Sequence, residues 1–189
     1  MRTKNTRHLL LTPTCKYWGR WSTFNARKNP KFLKKLTKLR EREVIVVNWL
    51  MRLYKQQVDR GGEAHIEQPE ASILFKRPSA QVLRKPGKYH AFRSVLDQCT
   101  TGLRDPVSKA PIRKRTWIVT SSQQLAHVLD RKCVCRVPRQ HLQGTVRLAS
   151  GNTVRRTEFA EDFTPELAEL IAGVVMRPHV IAVGRCKWI

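Results

Sequence analysis

The sequence predicts an α/β protein with a mostly parallel sheet and flanking helices. Three observations carry that expectation. Short apolar runs of strand length alternate with longer segments of helical periodicity. A hydrophobic content of 41% over 189 residues is enough for one ordinary domain with a real core, spanning 1–189. Reactive side chains follow the strand-like runs, and chemistry in open α/β sheets sits at the carboxyl ends of strands.

Residues His8 to Thr12 read as a short buried strand. The segment KYWGRWSTFNARKNP reads as a loop punctuated by Gly19 and Pro30, with Asn29 as the N-cap ahead of Pro30 at the first helical position. From Lys31 to Asp59, Phe32, Leu33, Leu36, Leu39, Val46, Val47, Leu50, Leu53 and Tyr54 recur at helical spacing. Gly61-Gly62 ends that helix. EAHIEQP is a second strand stopped by Pro69, ASILF a short helix or turn, and RPSAQVLRKPGKYH a basic, proline-containing loop. FRSVLDQC and RTWIVTS are the third and fourth strands, joined by the loop TTGLRDPVSKAP. Ser122 to Arg131 is a helix with Leu125, Ala126, Val128 and Leu129 on its apolar face, and GTVRLASGNTVRRTEF is a hairpin around Gly151-Asn152. The last helix begins at the N-cap Thr164, with Pro165 at its first position, and runs to about Met176.

Charge narrows the partner. The chain holds 37 Lys and Arg against 14 Asp and Glu, a net charge of +23, and residues 1–60 hold 16 of the basic residues but only 3 of the acidic ones. A surplus of this size favours a polyanion, with DNA (or RNA) the leading candidate. Lys16, Arg20, Lys31, Lys34, Lys35, Lys38 and Lys114 are the expected phosphate contacts, and the helix starting at Lys31 is basic on the face away from its apolar stripe. Trp18, Trp21 and Tyr17 stand among these cations, as base-stacking side chains or as anchors to the core. Arg2, Lys4 and Arg7 make a basic start, but the apolar run after them, Leu9-Leu10-Leu11, is too short for a signal peptide. VIVVNWLM is likewise too short to span a bilayer, so no membrane association is expected. The 5 cysteines, at 15, 99, 133, 135 and 186, do not form a secreted disulfide framework. An intracellular setting, nuclear in a eukaryote, is the expectation. CVCRVPRQH puts Cys133, Cys135 and His141 close together as partial zinc ligands, with tight cysteine spacing and no evident fourth ligand.

The motifs that carry chemistry come in a fixed order. Pro13-Thr14-Cys15 follows the first strand, Glu67-Gln68-Pro69 ends the second, and Pro111 to Arg115, PIRKR, precedes the fourth. This order resembles the catalytic half of the cytosine-5 DNA methyltransferases, which place Pro-Cys, then Glu-Asn-Val or Glu-Asn-Pro, then Gln-x-Arg-x-Arg. HIEQPEAS is similar to the IENP..S form of divergent members, including methyltransferase-like modules in mobile elements such as retrotransposons. The stretches DQCTTGL, RKRTWIVTSS and TEFAEDFTPEL continue the likeness. The resemblance implies a partial Rossmann-like, methyltransferase-like sheet. It implies Cys15 as the thiolate that adds to carbon 6 of cytosine, its pKa lowered by positive charge such as Lys16 or Arg115. Glu67 would hold the ring nitrogen and exocyclic amine, and Arg113 and Arg115 would contact the base or phosphate around a flipped nucleotide. The methyl donor of the family is S-adenosylmethionine.

Departures accompany the likeness. Thr14 separates the proline from the cysteine, Gln68 replaces asparagine, and Pro111 stands where the arginine motif has glutamine. The family's glycine-rich cofactor loop and ribose-binding acid lie upstream of the cysteine strand, and no Gly-x-Gly precedes Cys15. The expectation is therefore a truncated or degenerate domain that binds DNA but binds S-adenosylmethionine poorly alone, with Leu9 to Leu11 on an open sheet edge inviting self-association or a complementary cofactor-binding domain. Two other readings stay open: a non-enzymatic basic nucleic-acid-binding protein whose Cys15 is a buried structural thiol, and a half-enzyme completed by a separate chain.

Overall fold

The longest helix is fixed by its first residues. Asn29 Oδ1 accepts the Phe32 N–H at 3.0 Å, and Pro30 occupies the first position, where a missing N–H leaves no bond unmade. Helix α2 then runs without a break over Pro30–Asp59, burying Leu36, Val47, Leu50, Met51 and Tyr54. Arg60 closes it and Gly61, at φ 75°, reverses the chain. These contacts come from a computed structural model that describes residues 7–176, so Arg2, Lys4 and Cys186 lie outside the described residues.

Four strands form the main sheet: β1 (His8–Leu11), β2 (Glu63–Pro69), β3 (Phe92–Asp97) and β4 (Arg115–Thr120), in the order β1-β2-β4-β3. β1 and β2 run parallel, whereas β4 is antiparallel to both β2 and β3. The architecture is thus a mixed four-stranded sheet with flanking helices, and the expectation of a mostly parallel sheet is corrected. The reason is connectivity. Only β1 and β2 are joined through a long helix, the crossover that parallel neighbours need. Between β3 and β4 the chain forms a 3-10 turn (Gln98–Thr101) and a loop, and returns as an antiparallel neighbour. β1 lies at the sheet edge, with Leu10 39% exposed and Leu11 buried.

Residue alternation assigns the two faces of the sheet. Leu11, Ala64, Ile66 and Val119 face α2, packing with Val47, Met51, Tyr54 and Leu74. On the other face Leu96 and Ile118 meet Leu125 and Leu129 of α3 (Gln123–Leu129) and Leu167 of α5 (Pro165–Val175). Thr164 caps α5 as expected by accepting the Leu167 N–H, and Ser122 caps α3 by accepting the Leu125 N–H. The hairpin is present as β5 (Thr145–Arg147) and β6 (Thr153–Arg155), followed by the single turn α4 (Arg156–Phe159).

One segment differs in kind. The run read as a loop before Asn29 contains helix α1, Arg20–Lys28. Gly19 precedes the helix, and Arg27 and Lys28 sit in its last turn, where cations favour the helix end. Periodicity over nine residues with one buried side chain, Ala26, leaves too little apolar signal to reveal it. No helix among the described residues is long and apolar enough to cross a membrane.

Candidate active site

Cys15 lies in the turn that leaves β1, beside the carboxyl end of β2. Its carbonyl accepts the Trp18 and Gly19 N–H groups at 3.1 and 2.9 Å, which winds the chain tightly behind the thiol. Two outside groups hold that turn. The Gln68 side-chain amide donates to the Pro13 carbonyl at 2.6 Å, while Gln68 Oε1 accepts the Ser72 hydroxyl at 2.9 Å. Arg40, reaching from α2, donates to the Tyr17 carbonyl at 2.8 Å and to Thr23 at 3.0 Å. The Cys15 turn is therefore clamped by the residue that follows Glu67.

Glu67 points to the sheet face opposite α2, with Ile118 as its cross-strand partner. It is buried, and its Oε1 has no hydrogen bond. Lys114 Nζ stands 4.0 Å from that oxygen and donates to the Ala160 carbonyl at 2.9 Å. Burial pushes the Glu67 carboxyl upward, against the pull of Lys114 and a hydrogen bond from Thr116. Cys15 shares this neighbourhood. Burial raises its thiol pKa, Lys114 opposes the rise, and Glu67 and Glu161 add to it. Cys15, Glu67 and Lys114 thus form one electrostatic cluster at the ends of β1 and β2 and the start of β4.

The expected activation of Cys15 by Lys16 or Arg115 is corrected on this geometry. The cation acting on the thiol is Lys114, and burial outweighs it, so the thiol is held above its ordinary pKa. Alternation explains why Lys114 differs from its neighbours: it shares a face with Thr116 and Glu67, while Arg113 and Arg115 turn the other way. Both arginines engage fully buried Asp97. Arg115 is bidentate at 2.8 and 3.1 Å, Arg113 Nε lies at 3.3 Å, and Asp97 Oδ2 also accepts the Cys133 N–H at 2.9 Å. Arg115 also approaches Glu70 at 3.6 Å. The two arginines brace the turns around β3 and β4 instead of standing free beside Cys15.

Of the expected phosphate contacts, Lys16, Arg20, Lys31, Lys34, Lys35 and Lys38 are exposed, while Lys114 is drawn inward toward Glu67 and Ala160. Trp18 is core, 1% exposed, with the Arg40 and Arg77 guanidiniums each 5.9 Å from its ring. Trp21 is 67% exposed and packs edge-on against Phe24. Of the trio, Trp18 is an anchor and Trp21 is the ring open to solvent.

Sequence reasoning missed the clamp and the brace. Gln68 and Ser72 were visible in HIEQPEAS as a family-like pattern, but their bond to the Pro13 turn required the fold. Asp97 carried no signal, being one acid at the end of an ordinary strand. A cavity of about 440 Å³ among the described residues lies beside the hairpin, lined by Leu103, Leu148, Phe159 and Phe163, and does not include Cys15 or Glu67. Compared with protein-family models, curated proteins and solved structures, the chain matches none of them.

Proposed function

We propose that this chain is the catalytic half of a cytosine-5 DNA methyltransferase-like domain that binds DNA. The observation that carries the reading is the pairing of Cys15 with Glu67. A thiol and a buried carboxyl with an unbonded oxygen converge from the ends of two adjacent parallel strands. A cytosine placed between them would meet both groups its activation needs. As the Cys15 sulfur forms a bond to carbon 6, the thiol proton leaves to solvent. The 5,6 double bond opens and negative charge develops across carbon 5 and ring nitrogen 3. Glu67, whose carboxyl burial makes easier to protonate, takes up a proton as the base docks and donates it in a hydrogen bond at that nitrogen. Lys114 sits where it stabilises both the thiolate and the developing charge.

The resemblance brings S-adenosylmethionine as methyl donor, and this chain alone would hold it poorly. The sequence holds no Gly-x-Gly loop to take its amino-acid portion. β1 at the sheet edge, with Leu10 exposed, offers a surface on which a complementary domain would pair.

The test needs no cofactor. A duplex carrying 2-pyrimidinone, a cytosine analogue without the exocyclic amine, accepts a thiolate at carbon 6 directly. Intact-protein mass spectrometry should find one covalent adduct on the wild-type chain, mapped to Cys15 and lost in Cys15→Ser. An adduct at another cysteine, or none at high pH where the thiol ionises, overturns the assignment. The rival reading is a basic nucleic-acid-binding protein without chemistry, favoured by the upward shift of the Cys15 thiol. It predicts duplex binding in full and no adduct.

A further inference from the structure

Three sulfurs from two separate parts of the chain meet beside Asp97. Cys99 lies in the 3-10 turn that ends β3, and Cys133 and Cys135 lie in the loop after α3. The three Sγ atoms all fall within 4.8 Å of one another. The loop is brought there by backbone pairing: Arg131 donates to the Val95 carbonyl at 3.0 Å and accepts the Asp97 N–H at 2.8 Å, which extends it along β3. The Cys133 N–H then bonds to the Asp97 carboxylate, and Arg139 donates to the Cys135 carbonyl at 3.3 Å.

In this structure Cys133 and Cys135 are joined as a disulfide, their Cα atoms 5.6 Å apart. A disulfide accounts for two sulfurs. It gives no role to the third, which a different element delivers to the same point. A tetrahedral metal does: at a Zn–S distance of about 2.3 Å, two ligating sulfurs stand roughly 3.8 Å apart, within the spread seen here. All-sulfur donor sets select zinc among the common divalent ions. We propose that, with the cysteines reduced, Cys99, Cys133 and Cys135 bind one zinc ion. His141, exposed on the same loop and six residues beyond Cys135, offers an imidazole for the remaining position. Each thiol gives up its proton to solvent as its sulfur ligates, so zinc uptake by the three releases three protons. The ion would tie the end of β3 to the loop after α3, and so fix Asp97 under Arg113 and Arg115.

The other convergent set among the described residues is His8, Glu63 and His65. The experiment separates the two. The full chain, purified with a phosphine reductant from zinc-supplemented cells, should contain one zinc per chain by elemental mass spectrometry. Cobalt(II) added to the reduced apo chain should give intense sulfur-to-metal charge-transfer bands. Cys99→Ser should weaken zinc binding at least tenfold, whereas Cys15→Ser and His65→Gln should leave it unchanged. X-ray absorption on the wild-type protein covers the case in which Cys99→Ser fails to fold: a shell of three sulfurs at about 2.3 Å supports the site, and a nitrogen and oxygen shell overturns it. Wild-type protein that takes up no zinc or cobalt under full reduction, or Cys99→Ser that keeps wild-type affinity, also overturns it.

Discussion

Gln68 reaches across from β2 to hold Pro13, its amide nitrogen 2.6 Å from the Pro13 carbonyl. That bond joins the two motifs that sequence order only juxtaposes. Gln68 is fully buried, so its loss strands the Pro13 carbonyl and the Ser72 hydroxyl without their partner. Gln68→Ala should cost about 2 kcal/mol in urea unfolding and loosen the Cys15 turn, seen as faster alkylation of Cys15 in the folded protein. An unfolding midpoint within error of wild type would show that the clamp carries no energy.

The Asp97 brace makes a larger prediction. Its carboxylate is inaccessible and meets Arg113, Arg115 and the Cys133 N–H at once. Asp97→Asn takes the shared carboxylate from two arginines, leaving Arg115 with only Glu70, and should cost about 3 kcal/mol or more. Arg113→Gln, which removes the longer of the two contacts, should cost far less. Equal losses in thermal denaturation would mean that the acid is not the hub.

His65 sets the acid limb of stability. Its ring is buried, Nδ1 lies 2.6 Å from Thr120 Oγ1, and Nε2 faces His8 Nδ1 at 3.4 Å. Burial first, and then His8, push its pKa down from 6.5 to about 4. As pH falls below 6.5 the unfolded chain takes a proton that the folded chain refuses until about 4. Stability from this group is therefore complete above 6.5 and declines across that window, by about 3 kcal/mol in total. Unfolding midpoints from pH 7 to 4 should show this slope, and His65→Gln should flatten it.

Much of this is legible in the sequence, and the boundary between legible and hidden has physical causes. Asn29-Pro30 and Thr164-Pro165 announced two helices because caps are local chemistry, satisfied within one turn. β2 was readable to its last residue because Gly61-Gly62 and Pro69 punctuate it. Strand direction was not readable: whether β4 runs with or against β2 is decided by what connects β3 to β4, and a loop without periodicity does not announce a reversal. The candidate site divides in the same way. Cys15 and Glu67 were visible as motifs after strands, but the inward turn of Lys114 and the capture of Arg113 and Arg115 by Asp97 depend on the register of three strands. Cys99 could join Cys133 and Cys135 only once β3 and the loop after α3 were paired.

The exposed lysines of α2 predict the form of duplex binding. Lys31, Lys34, Lys35 and Lys38 stand in solvent on its first turns. If each meets a phosphate, replacing all four by Gln should reduce the slope of log affinity against log salt by roughly 3 to 4. Fluorescence anisotropy across a salt series measures it. An unchanged slope removes α2 from the interface and shifts attention to Lys16 and Arg20.

The reactivity of Cys15 should be governed by its two charged neighbours in opposite directions. The methyltransferase resemblance implies an activated thiol, with Cys15 the fastest of the cysteines to alkylate at neutral pH. Burial instead raises its pKa, Lys114 works against the rise, and Glu67 adds to it. Only the thiolate reacts, so at pH 7 iodoacetamide should modify Cys15 in the folded chain more slowly than a free cysteine. Glu67→Gln removes a negative charge from beside the sulfur, lowers the thiol pKa, and should speed alkylation at pH 7. Lys114→Met removes the cation that lowers its pKa and should slow alkylation further. The double variant should fall between the two. The rate against pH, followed for Cys15 by peptide mass spectrometry, reads each shift as a displacement of the midpoint: downward for Glu67→Gln, upward for Lys114→Met. If both variants move the midpoint the same way, or neither moves it, then Cys15, Glu67 and Lys114 do not act as one site, and the pairing on which the methyltransferase-like reading rests is lost.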